Sequence, residues 1–217
     1  MGTALDGITV LDMSVGMAGA LATMFLCDNG ARVIRLEVQN GDARRQQPGY
    51  MVWDRGKESL TLDPNHVMVQ KEAPAHSPRA ARSNGLGRVF RNLIQTADVL
   101  VESFSPSSKY QEIFGQNQLV TINPRLVHCS ITAYGKNGPL KDDPPIDELV
   151  MARAGILATM PGFRKGPVHV AAPIPSAGAA ILTAESIVAA LFAREKTGFG
   201  RKVETTLLGG ALLFASY

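Results

Sequence analysis

The sequence predicts an α/β fold, a three-layer domain with a mostly parallel sheet. Three observations carry that expectation. Ile8–Glu37 reads strand, helix, strand, and a β-α-β unit joins parallel strands through a crossover helix. Short apolar strands recur at Val99–Glu102 and Leu126–Thr132. Pro173–Glu204 then holds the cleanest helical pattern in the chain, followed by another strand.

Ile8–Met13 is a short apolar run. Val15–Asn29 follows as a helix rich in Ala, Met and Leu, with Gly30 at its C′ position. Arg32–Glu37 is the second strand. Gly16-x-x-Gly19 lacks the GxGxxG spacing and no P-loop is present, so nothing here marks a nucleotide site. Asn40–Gly49 is a polar loop, and Trp53–Ser59 turns into a short strand around Leu60-Thr61-Leu62-Asp63. Pro64–Gly87 has three prolines and little periodicity, and reads as a surface loop. Within it, His66 and His76 have no acidic or cysteine partner at ligand spacing, so they read as exposed side chains and not as a metal site.

Leu86–Thr96 has Val89, Phe90, Leu93 and Ile94 on one helical face and leads through Asp98 into the strand at Val99. Lys109–Gln118 reads as a short helix. Asp147 opens another helix with Glu148 behind it; a carboxylate is stabilised in its ionised form at a helix N-terminus, so capping is the plain reading of Asp147.

The long helix begins at Ser176, placed where an N-cap belongs just after Pro175. Ala180, Ile181, Ala184, Ile187, Val188, Leu191 and Phe192 recur at spacings of three and four as one apolar face. Ala179, Ala180 and Ala184 are small enough to let another backbone approach. Arg194 and Lys196 complement the negative end of the helix, Gly198 ends it, and Arg201–Thr205 is a strand. Leu207–Tyr217 starts a further apolar helix.

With 217 residues, 45% of them hydrophobic, the chain can bury one sizeable core. A net charge of +3, with basic residues scattered, argues against a nucleic-acid surface. Cys27 and Cys129 are isolated and read as buried free thiols in a reducing compartment. Asp6 interrupts any signal-peptide pattern and no segment approaches membrane-spanning length, so a cytoplasmic protein without membrane partners is expected.

Several blocks carry a resemblance. REKTGFGRKVETTLL fits TGxGxxVExxLL; LDGITVLDMS and GARVIRLE fit one family's opening; Gly41-Asp42-Ala43-Arg44 fits GDxxR; ADVLVESFSPS and SITAYGKNGP fit two later loops. Together they resemble the family III CoA-transferases, which include formyl-CoA and carnitine CoA-transferases and 2-methylacyl-CoA racemases. The resemblance implies a Rossmann-like domain that handles CoA and acyl-CoA as substrates, without a metal, together with a carboxylic acid. It places CoA near Arg44, Leu62, Ser103, Phe104 and Gly135. Phe104 is open to two roles, stacking on adenine or filling the core.

The resemblance also implies interlocked homodimers, and members about twice this length. The chain is therefore expected to be the N-terminal large-domain half, with Pro64–Gly87 divergent.

In the family's transferases an aspartate at the head of the long helix attacks the thioester. Counted back from Lys196-Thr197-Gly198, that slot holds Ser176. A hydroxyl cannot form the acyl anhydride this chemistry needs. Either another carboxylate takes over, Asp147 and Glu148 being the near ones, or the chain is a non-catalytic CoA-binding and dimer-forming module. The racemase reading is weakest, because Ile146 stands where the racemases carry a histidine and a proton shuttle needs an acid/base on each face.

Overall fold

The computed structural model describes residues 2–38, 43–46, 48–62, 89–108, 116–159 and 165–215. Its six strands are β1 (Thr9–Met13), β2 (Arg32–Val38), β3 (Glu58–Leu62), β4 (Val99–Glu102), β5 (Val127–Thr132) and β6 (Lys202–Thr206). They form one sheet in the order β3-β2-β1-β4-β5-β6, and every pairing is parallel. The order reverses between β1 and β4.

The helices are α1 (Met17–Asp28), α2 (Tyr50–Trp53), α3 (described over 89–96), α4 (Gln116–Ile122), α5 (Asp147–Arg153), α6 (Ile156–Thr159), α7 (Ile174–Thr197) and α8 (Leu207–Phe214).

Alternation along the strands sends neighbouring side chains to opposite faces and so builds two cores. Val10, Val33, Val99 and Val101 pack with α1, α5, α7 and α8 on one face. Leu11, Ile34, Leu36 and Leu100 pack with Phe90 and Ile94 of α3 and Leu119 of α4 on the other. The three layers expected from the sequence follow from this two-sided burial.

Several boundaries shift. The expected helix at Lys109–Gln118 is described only from Gln116 and runs on to Ile122, because Leu119 is buried in the second core and Asn123-Pro124 stop the helix. The long helix starts at Ile174, with Pro173 at the N-cap, so Ser176 is its third residue and not the cap. Pro175 suits the first helical turn, where an amide N–H has no partner to lose. Gly198 closes α7 in the left-handed conformation at φ 78°, as anticipated.

The expected apolar face of α7 splits. Ala180, Ile187 and Leu191 are buried, whereas Ile181, Val188 and Phe192 face outward. The buried face is completed by Gly178, Thr183 and Arg194, which an apolar pattern does not register. Another backbone comes close at Gly178, which lies against Gly210 of α8.

The expectation that no segment reaches membrane-spanning length is also corrected. Helix α7, 24 residues long, contains an 18-residue stretch with a mean hydropathy of 1.7 and meets that criterion by length and composition. The helix packs against α1, α8, β5 and β6 with Thr183 and Arg194 turned inward, as a core helix does. The stretch Pro64–Gly87, with His66 and His76, lies outside the described residues.

Candidate functional site

A wholly parallel sheet gathers the carboxyl ends of its strands on one edge, and ligands of open α/β sheets bind there, at the point where strand order reverses. Leu62 ends β3, Ser103 and Phe104 follow β4, and Gly135 lies just beyond β5. Arg44 sits in a 3-10 turn (Ala43–Gln46) after β2. All five residues predicted to face CoA therefore belong to this edge. Helix α7 runs back along the sheet into β6, which brings its N-terminus and Ser176 to the same edge.

Here the structure joins two residues that the sequence had named apart. The backbone N–H of Ser176 donates to Asp147 Oδ1 at 2.7 Å, and Ser176 Oγ donates to Asp147 Oδ2 at 2.7 Å. Asp147 is the first residue of α5, yet its carboxylate serves the head of α7, 29 residues away in sequence. Capping was the right physics for Asp147, but the capped helix is a different one. The N-terminal dipole of α7 holds negative charge at this point. Ser176 is buried, with 4% of its surface exposed, and Asp147 is half-buried. Glu148 is exposed.

The loops around the pair are tied to one another. Ser103 Oγ accepts from the N–H of Val15 at 2.6 Å and donates to the carbonyl of Val15 at 3.1 Å, which locks the β1–α1 turn to the end of β4. Phe104 packs against the second core, the plainer of the two roles open to it. Asp142 accepts from Ser105 Oγ and from the N–H of Ser107, joining the loop after β4 to the loop after β5. Gly135 adopts φ +100°, and its N–H donates to Thr132 Oγ1.

Sequence reasoning missed two buried charge networks. In the first, Asp12 accepts from Ser14 Oγ, Thr23 Oγ1, Arg35 and Lys57, while Lys57 also reaches Asp54 at 2.8 Å. In the second, Glu102 is fully buried and meets Lys136 at 3.2 Å, the N–H of Phe104 at 2.7 Å and His128 Nε2 at 3.5 Å. Burial alone would raise the Glu102 pKa. His128, Lys136, the Phe104 N–H and Ser130 together outweigh that effect and hold it below the ordinary carboxylate range. The available signal was the same in both cases, a carboxylate interrupting an apolar strand, and such a group is buried only when paired. Burial pushes the Cys129 thiol far above its ordinary value, and Cys27 is raised for the same reason, so neither is an activated nucleophile. Among the described residues, no group of three or more His, Cys, Asp or Glu side chains converges to hold a metal.

An open parallel sheet, with loops collected at its carboxyl edge and a carboxylate set on a helix N-terminus, defines a ligand-handling α/β protein. More particularly, the chain belongs to the CoA-transferase family III, whose model matches residues 5–73 and 82–217. It is 32% identical over 214 residues to a protein of Mycobacterium tuberculosis named as the probable fatty acyl-CoA transferase Rv3272, a match covering 94% of this chain and 50% of that protein. It is 30% identical over 228 residues to the acetyl-CoA:oxalate CoA-transferase of Acetobacter aceti, covering 98% and 53%. The orthorhombic crystal structure of Rv3272 superposes with a TM-score of 0.82 at 31% identity, over 97% of this chain and 56% of that one. The chain spans about half the length of the curated relatives it matches.

Proposed function

We infer that this chain carries the large-domain part of an acyl-CoA:carboxylate CoA-transferase, with Asp147 supplying the carboxylate that Ser176 cannot. One observation carries the reading: Asp147 Oδ2 lies 2.7 Å from Ser176 Oγ, the slot that the family resemblance assigns to the attacking aspartate. A carboxylate delivered from α5 thus stands within one hydrogen bond of that slot. An ionised carboxylate has about four lone-pair sites, so the two bonds from Ser176 orient it and leave others for attack.

The chemistry then balances through that group. An Asp147 oxygen attacks the thioester carbonyl, the C–S bond breaks, and CoA leaves as the thiolate with an acyl anhydride on Asp147. The thiolate returns to the Asp147 carbonyl, forming a protein thioester and releasing the donor acid. The acceptor carboxylate attacks that thioester, forming a second anhydride and freeing the thiolate. Thiolate attack on the acceptor's carbonyl then yields the new acyl-CoA and restores Asp147. CoA would be held along the carboxyl edge by the loops bearing Arg44, Leu62, Ser103, Phe104 and Gly135.

A second reading, a CoA-binding module without catalysis, is favoured by the fact that both Asp147 oxygens are already engaged by Ser176. Acid-quenched protein exposed to labelled acyl-CoA distinguishes the two by peptide mass spectrometry. An acyl or CoA adduct on Asp147, absent from Asp147→Asn, is the expected result. CoA binding by calorimetry with no adduct would establish the non-catalytic module.

A further inference from the structure

We propose that Glu102 is a positioning residue for CoA: it does not touch the ligand, but holds the loops after β1, β4 and β5 in the arrangement that binds it; this rests on the CoA reading above. Glu102 is the last residue of β4 and is fully buried. In register it stands between Met13 of β1 and Ser130 of β5, at the place where strand order reverses. Its two carboxylate oxygens reach two different loops. Oε2 accepts the N–H of Phe104 at 2.7 Å, which fixes the turn out of β4. Oε1 accepts from Lys136 Nζ at 3.2 Å, which fixes the loop out of β5 next to Gly135. Ser103, held between Glu102 and Phe104, carries the restraint on to the β1–α1 turn through its two bonds to Val15.

The destination of these bonds argues for more than stability. A buried ion pair often adds no more stability than apolar side chains of the same volume, because both charges lose their water. Both oxygens of Glu102 serve loop groups, and those loops carry Ser103, Phe104 and Gly135. The Lys136 side chain is 14% exposed, so its ammonium is held inward on the carboxylate. Removing the negative charge removes what holds it there, and the loop after β5 loses its anchor. A ligand that meets loosened loops must order them as it binds, and that ordering is subtracted from its affinity.

The test is calorimetry with CoA on the 217-residue chain and on Glu102→Gln, Lys136→Met and the double variant, each shown to be folded by circular dichroism. Glu102→Gln should weaken CoA binding about tenfold, the lower end of what losing an orienting partner costs at metal sites. Lys136→Met should weaken it too, and the double variant should bind no more weakly than Glu102→Gln, because the pair acts as one unit. A folded Glu102→Gln with a lower urea midpoint but wild-type CoA affinity makes Glu102 structural only; it overturns the assignment and leaves the CoA reading standing. Wild-type affinity in Lys136→Met overturns it as well, and decides the matter if Glu102→Gln does not fold. Equal losses from Lys136→Met in the wild-type and Glu102→Gln backgrounds would make Lys136 a direct CoA contact, which also overturns the assignment. No CoA binding by the wild-type chain overturns the CoA reading, and the assignment with it.

Discussion

Glu102 is held below its ordinary pKa of 4.5 by its cationic and N–H partners. A carboxylate depressed in the folded state contributes stability above its unfolded pKa and loses it as pH falls through the folded value. Urea unfolding should therefore show stability falling on acidification below 4.5. Glu102→Gln should cost about 1–3 kcal/mol at neutral pH and flatten the acid limb; parallel wild-type and variant profiles would show that Glu102 does not govern it. Such residues were only partly legible beforehand. Ser176 and Asp147 were both singled out from the sequence, but their contact was not, because pattern signals are local and these residues are 29 positions apart. The Asp12–Arg35–Lys57 network escaped for the same reason: its members come from β1, β2 and the turn before β3.

At the scale of elements, the tight crossing of α7 and α8 is the feature most exposed to mutation. A Cβ at Gly178 would stand 2.2 Å from the carbonyl oxygen of Gly210, a backbone atom that cannot swing aside. Gly178→Ala should therefore destabilise the chain by about 3 kcal/mol, the upper part of the range for overpacked cores, although alanine is the better helix former. A melting temperature equal to wild type would show that the two helices can part without cost. The strands and the long helix were legible because alternation and the three-four repeat reach across whole elements. The face of α7 was less so: glycine, threonine and arginine are not apolar, yet all three point inward here. Arg194 shows why, since its guanidinium meets Asp98 at 2.9 Å and the carbonyl of Arg125, bracing the lead-ins to β4 and β5 together.

Over the whole molecule, the three-layer arrangement was readable from the β-α-β opening and the later strands, whereas strand order was not, because nothing in the sequence states which strands become neighbours. The surface carries an apolar run on α7, with Ile181, Val188 and Phe192 between 42% and 65% exposed, and Leu212, Leu213 and Phe214 exposed on α8. Contiguous apolar surface of this kind favours association. Light scattering at rising concentration should show the chain self-associating, and Val188→Glu with Phe192→Glu should shift it toward monomer; a monodisperse wild-type monomer would count against the patch. The reversal of strand order between β1 and β4 reaches further, into the route by which the chain acquires its shape. The β3-β2-β1 half is assembled from the first 62 residues, but β1 must then wait for β4, whose Val99 pairs with Val10. Loop closure over such a separation is paid before any contact rewards it, and parallel sheets are slow folders for that reason. On the ribosome, the early half would emerge with one edge of β1 bare, and the arrival of β4 would set the pace of everything after it.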